Sequence, residues 1–272
     1  MTSHSKPALW LTVCSLLFIA TTAHAGPPYQ TDDPDPVPLH HYEAYVFTLS
    51  DATSTTGTAL SSPAFEVNWG AAPNLQLHLI ASVATNFPPD NGPVNTGFGD
   101  LELGAKYRFV KETRWHPEIG IFPMLEAPTG NADRGLGVGS AWFRLPVWIQ
   151  KSWGPWTTYG GAGALVFQEP GYKNAPFAGW LLQRQINKQL TLGTELFYHG
   201  AENLAPEGVR HATMTDLGGT YGFTDHFQLL FAAGHSIKGH AETYTYLGLY
   251  WTWGHNAEDD AEAKDASAAK HK

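Results

Sequence analysis

Residues 97–109, GFGDLELGAKYRF, alternate without a break. Leu101, Leu103, Ala105, Tyr107 and Phe109 form one set; Asp100, Glu102, Gly104, Lys106 and Arg108 form the other. Side chains two apart on a strand share a face, so this segment has one apolar face and one charged face. The pattern recurs along the chain. Leu75, Leu77, Leu79, Ala81 and Val83 oppose Gln76, His78 and Ser82; Phe143, Leu145, Val147 and Ile149 oppose Arg144 and Gln150. Leu190, Leu192 and Leu196 oppose Thr191 and Glu195, and Thr213, Thr215, Leu217 and Tyr221 oppose Asp216 and Thr220. Runs of this kind predict strands over 42–50, 64–69, 75–85, 98–110, 117–127, 141–150, 156–167, 177–187, 189–199, 211–223, 226–236 and 243–253. That is about twelve, an even number, as in bacterial outer-membrane barrels. Within 177–187, Arg184 shares parity with Trp180, Leu182 and Ile186, which predicts a bulge or a short slip.

The connections alternate as well. Short ones at 70–74, 111–115, 152–155, 187–188 and 224–225 interleave with longer ones at 51–63, 86–96, 128–140, 169–176, 200–210 and 237–242. Short turns on one side and longer loops on the other predict an all-β, antiparallel up-and-down transmembrane β-barrel with both termini on the periplasmic side. The aromatics decide which face is outward. Trp69, Trp115, Trp153, Trp156, Trp251 and Trp253 sit at or beside short-turn ends, with Tyr107, Phe109, Tyr221, Phe223 and Phe227. Aromatics gathered at one level form an interfacial girdle, whereas a soluble sandwich would hold them at mid-strand. The apolar faces therefore meet lipid. Glu66, Asp100, Glu102, Lys106, Arg108, Glu118, Glu126, Arg144, Glu195 and Asp216 then line a polar lumen. A lysine or arginine on the lipid face at mid-membrane would cost about 2–4 kcal/mol.

Composition fits this picture. Charged residues are 15% of the 272, where about 25% is usual. A net charge of -9 argues against nucleic-acid partners, which require concentrated Lys and Arg. Residues 1–25 read as a cleaved export signal: Lys6, an apolar run over 8–20, then Ala23-His24-Ala25, with the mature chain starting near Gly26. An uncleaved membrane anchor is the alternative. Cys14, the single cysteine, lies in this segment, and Leu11-Thr12-Val13-Cys14 is a poor lipoprotein box. Next come a proline-rich leader, 26–40, placed in the periplasm, the barrel, 41–254, and a charged, alanine-rich tail, 255–272. The expected location is the cell outer membrane. The expected partners are outer-membrane lipid and lipopolysaccharide, the barrel-assembly machinery and a small-molecule permeant.

Lumen charges either select permeants by sign or pair across strands and brace the interior. Asp32, Asp33 and Asp35 admit three readings: a solvated leader, a cation site, or a plug folded back so that its acids meet Lys106 or Arg108. His199, His211, His235 and His240 fall near the outer ends of the last strands, without the spacing of a metal motif. His235 and Ser236 are strand neighbours and point to opposite faces, so they form no base–nucleophile pair. No catalytic, cofactor-binding or metal-binding residue is assigned.

Three stretches carry a family resemblance: Tyr29-Gln30-Thr31-Asp32-Asp33-Pro34, His40-His41-Tyr42-Glu43, and residues 97–109. Together they resemble the bacterial outer-membrane transporters of the meta-pathway of phenol degradation. The resemblance implies an outer-membrane barrel and passage of small molecules, aromatic compounds among them. The rival classes are a closed barrel with a structural or adhesive role and a lipid-modifying outer-membrane enzyme.

Overall fold

The computed structural model describes residues 27–202 and 210–254. The readings of residues 1–25, with Cys14, and of the tail 255–272 fall outside the described residues. The chain forms twelve strands in an antiparallel barrel. They are β1 (His41–Thr53), β2 (Gly57–Ala72), β3 (Leu75–Phe87), β4 (Asn95–Phe98 and Leu101–Val110), β5 (Glu118–Ile121 and Met124–Ala127) and β6 (Trp142–Trp153). The remainder are β7 (Trp156–Phe167), β8 (Ala175–Gln185), β9 (Leu190–His199), β10 (Ala212–Thr224), β11 (Phe227–Gly239) and β12 (Glu242–Gly254). Each strand pairs with its sequence neighbour. β1 closes the ring on β12 from His41 opposite Gly254 to Thr53 opposite Glu242. Closure leaves no free edge, which a lipid environment demands of any sheet.

Two strands are interrupted. In β4 the break is at Gly99-Asp100, and in β5 at Phe122-Pro123, where proline has no N–H for the ladder. Two expected long loops are instead continued sheet. β1 and β2 run on to a turn at 54–56, and β11 and β12 to one at 240–241. The Ser/Thr-rich stretch 51–63 is β-branched enough to extend a hairpin. The wall formed by β10, β11, β12, β1 and β2 therefore has strands of 13 to 16 residues, and the wall of β6 to β9 has strands of 10 to 12.

The alternation sorts as the sequence requires. Phe65, Val67, Leu77, Leu79, Leu145, Val147, Leu192, Leu196, Leu217 and Leu247 are exposed on the outside, and their strand neighbours are buried inward. The girdle is continuous in places: Tyr42 stacks between Trp69 at 6.3 Å and Trp253 at 5.6 Å, and Phe227 stacks on Trp251 at 5.0 Å. Tyr107, Phe109 and Trp153 are exposed at the same end, beside the partly exposed Trp156. Trp115 lies on the turn beyond, under the Arg114 guanidinium at 5.0 Å. Arg184 requires no bulge. β8 keeps register with both neighbours, and the side chain lies outward over the Trp156 ring at 5.1 Å. At the membrane–water interface a long cationic side chain reaches the headgroups.

Candidate functional site: a lumen occupied by the leader

The interior is two-sided. One wall is a polar network that crosses six strands. Tyr250 (β12) and Tyr45 (β1) donate to the Glu43 carboxylate at 2.7 and 2.9 Å. Asn68 (β2) donates to Glu43 at 3.3 Å and to Glu66 at 2.9 Å. His78 (β3) bridges the Asn68 side-chain oxygen and Glu102 (β4), each at 2.7 Å. Glu126 (β5) is the cross-strand partner of Glu102. The other component is aromatic and apolar. Tyr45, Phe47, Tyr159, Leu181, Met214, Leu230, Tyr244, Tyr246 and Tyr250 form one buried cluster, and Phe122, Met124, Trp148, Leu165, Phe177 and Phe197 form a second. Arg144 lies against the second cluster, its guanidinium 5.3 Å from the Phe177 ring.

Residues 28–37 run up the middle of this lumen. Thr31 and Asp33 are fully buried, and Tyr29 and Val37 nearly so. Of the three readings of the leader acids, the structure takes the plug. Lys106 Nζ lies 2.9 Å from Asp32 and 3.5 Å from Asp33. Arg108 pairs with Asp35, reaches Glu118 at 3.2 Å and donates twice to Asn74. Deeper in, Glu195 accepts the backbone N–H groups of Gln30 at 3.1 Å and Thr31 at 2.5 Å. Asp216, directly opposite Glu195 across β9 and β10, accepts the Gln30 side-chain amide at 3.2 Å. Tyr244 donates to the Pro28 carbonyl at 2.9 Å.

Glycine makes the room. A Cβ on Gly179 would stand 1.9 Å from Thr31 Oγ1, and one on Gly193 would stand 2.8 Å from the Tyr29 hydroxyl. Burial pushes the Asp33 carboxyl up from its ordinary range, against the opposing pull of Lys106. Among the described residues its Oδ2 has no hydrogen-bond partner, a place where a proton can sit. Between the leader, β1, β2 and β4 a slot of about 10 Å³ remains, room for a single water.

Of the residues read as lumen-lining, Glu66, Glu102, Lys106, Arg108, Glu118, Glu126, Arg144, Glu195 and Asp216 lie on inward-facing strand positions. Asp100 does not join the ladder. It sits in the β4 interruption and accepts from the backbone N–H groups of Gly130 and Val138 at 2.8 and 2.9 Å, pinning the outer loop that follows β5. Of the two functional readings of the charges, the contacts are those of bracing: Lys106 and Arg108 pair with the leader, and Arg108 also with Glu118 across strands. Glu43 and Asn68 were missed, although they share parity with inward residues; Gln76 and His78 were placed on the polar face of their strand but not named among the lumen residues. The inward tyrosines were also missed, because aromatics on a barrel strand read first as girdle. The four histidines do not converge. His199 pairs inward with Glu242 at 2.9 Å, His235 bonds outward to Thr243 at 2.8 Å, His240 bonds Thr55 at 2.9 Å, and His211 is exposed. Ser236 Oγ accepts the Glu242 N–H on the face opposite His235.

A closed twelve-stranded ring with an apolar outer belt and a girdle is an outer-membrane β-barrel. A family model described as "Putative MetA-pathway of phenol degradation" matches residues 37–252, and the chain belongs to that family. No curated protein matches the sequence. Among solved structures, the chain is similar to the COG4313 outer membrane channel from Pseudomonas putida F1, at 16% identity and a TM-score of 0.63, over 81% of this chain and 98% of that one. It is also similar to the NanC porin (9% identity, TM-score 0.54, 76% and 98% covered) and to the KdgM porin (10%, 0.51, 77% and 99%). These are likenesses of fold.

Proposed function

We propose that this barrel is an outer-membrane channel for small solutes, aromatic ones included, and that its own leader closes the lumen at rest. The leader's fit carries the reading: five N–H groups and three carboxylates between residues 30 and 37 find partners, either on the barrel wall or within the leader itself. The names of the similar solved barrels, a channel and two porins, and the family description support passage of solutes over an adhesive or enzymatic role. The stacked Tyr45–Tyr250 and Phe47–Tyr246 pairs, 4.6 and 5.1 Å between ring centroids, offer an aromatic solute flat faces once the leader withdraws. The reading includes export by removal of residues 1–25, which N-terminal sequencing finding Gly26 would support.

The test is a planar-bilayer recording of the mature chain beside a form lacking residues 26–38. The full chain should give rare, small steps and the deletion frequent, larger ones, with phenol flux into vesicles rising in parallel. Equal conductance and flux in the two forms would sink the proposal.

A further inference from the structure

The outer surface is not uniform around the ring. On β6 to β9, positions about eight to ten residues above the periplasmic strand ends are apolar: Phe143, Leu145, Val166, Pro176 and Tyr198. At about eight to eleven residues up on the taller wall the outward positions are mostly polar, Thr213, Thr215, His235, Thr243, Thr245 and Ser50, with Ile237 exposed among them. A strand rises about 3.3 Å per residue, and a tilt of about 40° leaves about 2.5 Å along the membrane normal. The polar row therefore stands roughly 20–28 Å above the periplasmic end, at the top of an apolar band about 25 Å tall.

A lysine is turned into this row. The register between β10 and β11 shifts so that Met214 faces Ser236 while Thr213 faces Lys238. The extra residue, Ile237, changes the parity. Without it Lys238 would share the inward face of Gly234 and Ser236; with it, the ammonium stands outside beside Thr213, exposed, with no ion pair among the described residues. His211 is exposed at the outer end of β10, two residues from Thr213.

We infer that the outer third of the β10–β11–β12–β1 wall binds a phosphorylated glycolipid headgroup of the outer leaflet, the phosphoglucosamine of lipid A. Lys238 supplies the charge for a phosphate, and His211 a ring nitrogen for a hydrogen bond. The threonine hydroxyls and His235 supply donors and acceptors for sugar. The height is that of the headgroups, and the same height on the opposite wall offers aliphatic and aromatic side chains, with one hydroxyl, that of Tyr198, and no cation among the described residues. The inference stands apart from the channel reading, since it concerns the outside of the barrel.

The full mature chain in detergent would be titrated with bis-phosphorylated lipid A and followed by native mass spectrometry. Dephosphorylated lipid A and phosphatidylglycerol are the comparison lipids. Lipid A should bind at a defined stoichiometry, dephosphorylation should weaken it by at least about five-fold, and Lys238→Glu should do the same, at the scale of one interfacial cation. Thr215→Leu combined with Thr243→Leu should lower lipid A binding and leave phosphatidylglycerol unchanged; Leu145→Ala on the opposite wall should change neither. Heat-modifiability on gels verifies that each variant is a folded barrel. Equal binding of phosphatidylglycerol and lipid A would reduce the patch to generic anion attraction and overturn the inference. So would lipid A binding indifferent to Lys238, or a dimer of the chain forming through this wall in place of bound lipid.

Discussion

Lys106→Ala is the most direct perturbation of the closed lumen. The ammonium is buried, pairs with the Asp32 carboxylate at 2.9 Å, stands 3.5 Å from the Asp33 carboxyl group, and lies 5.0 Å over the Phe122 ring. Removing one member of a buried pair typically costs about 3–5 kcal/mol, because the other charge stays buried and uncompensated. Here the cost falls on the docked state alone, since an undocked leader puts Asp32 and Asp33 back into water. At about 1.4 kcal/mol per decade, the undocked fraction should rise by about two to three and a half orders of magnitude. The assay is thiol labelling. Thr31→Cys places a fully buried probe of nearly the same size as the threonine it replaces. Cys14, the only native cysteine, lies in the segment read as signal. While docking dominates, the maleimide rate is proportional to the undocked fraction, so Lys106→Ala should label at least about 100 times faster. Lys188→Ala, on a periplasmic turn, should not change the rate. A Lys106→Ala barrel that folds and labels at the parent rate would refute the claim that this charge holds the leader.

The remaining expectations use the same readouts. Gly179→Ala drives a Cβ into Thr31; overpacking costs about 1–3 kcal/mol, so Thr31→Cys labelling should speed up by about 5- to 100-fold with the barrel intact. Docking holds a proton on Asp33 that a free aspartate, with a pKa of about 3.9, would release, so docking should weaken as pH rises through the docked-state pKa. Labelling, normalised to the same cysteine in a free leader peptide, should therefore accelerate as pH rises above the free-aspartate value, and Asp33→Asn should flatten that slope. Leu196→Arg, mid-wall and facing lipid, should lower unfolding stability in vesicles by about 2–4 kcal/mol, read by denaturant titration.

Strand number, face assignment and girdle were legible because period-two patterning and interfacial aromatics are local signals. Leu77, Leu79, Leu145 and Val147 could face only lipid once Gln76, His78 and Arg144 faced inward. The strand interruptions were less visible. The strand over 117–127 was read as continuous in spite of Pro123, and Asp100 continued the alternation and was counted with the lumen. Only its bonds to Gly130 and Val138 show that a loop had claimed it. The leader was the largest ambiguity. A proline- and aspartate-rich segment reads as solvated wherever its partners are far in sequence, and here they are: Glu195 is 165 residues from Gln30 and Lys106 is 74 from Asp32. The inward glycines 179 and 193 were the available trace, as small residues on a lumen face leave space for something that is not a strand.

The leader's composition follows from where it lies. An extended chain inside a barrel cannot join the ladder, because the wall's backbone groups already pair with each other. Each of its own N–H groups therefore needs a side-chain acceptor or must be absent. Pro28, Pro34, Pro36 and Pro38 remove donors outright. Gln30 and Thr31 use Glu195, Val37 uses Gln76, Asp33 uses Asp32, and Asp35 uses Asp33. Proline also stiffens the segment. At about 3.1 Å per residue the ten residues from Pro28 to Val37 reach about 30 Å, enough to run the height of an apolar band of about 25 Å. The order of attachment is set by the same geometry. Val37, Asp35 and Asp32 engage β3 and β4 nearest the periplasmic hinge at His41, while Gln30 and Pro28 engage β9, β10 and β12 farther in. Withdrawal toward the periplasm has to break the Lys106 and Arg108 pairs as well as the Glu195 clasp. The plug is thus held at both ends of its length, and loss of either set leaves the other to hold it alone.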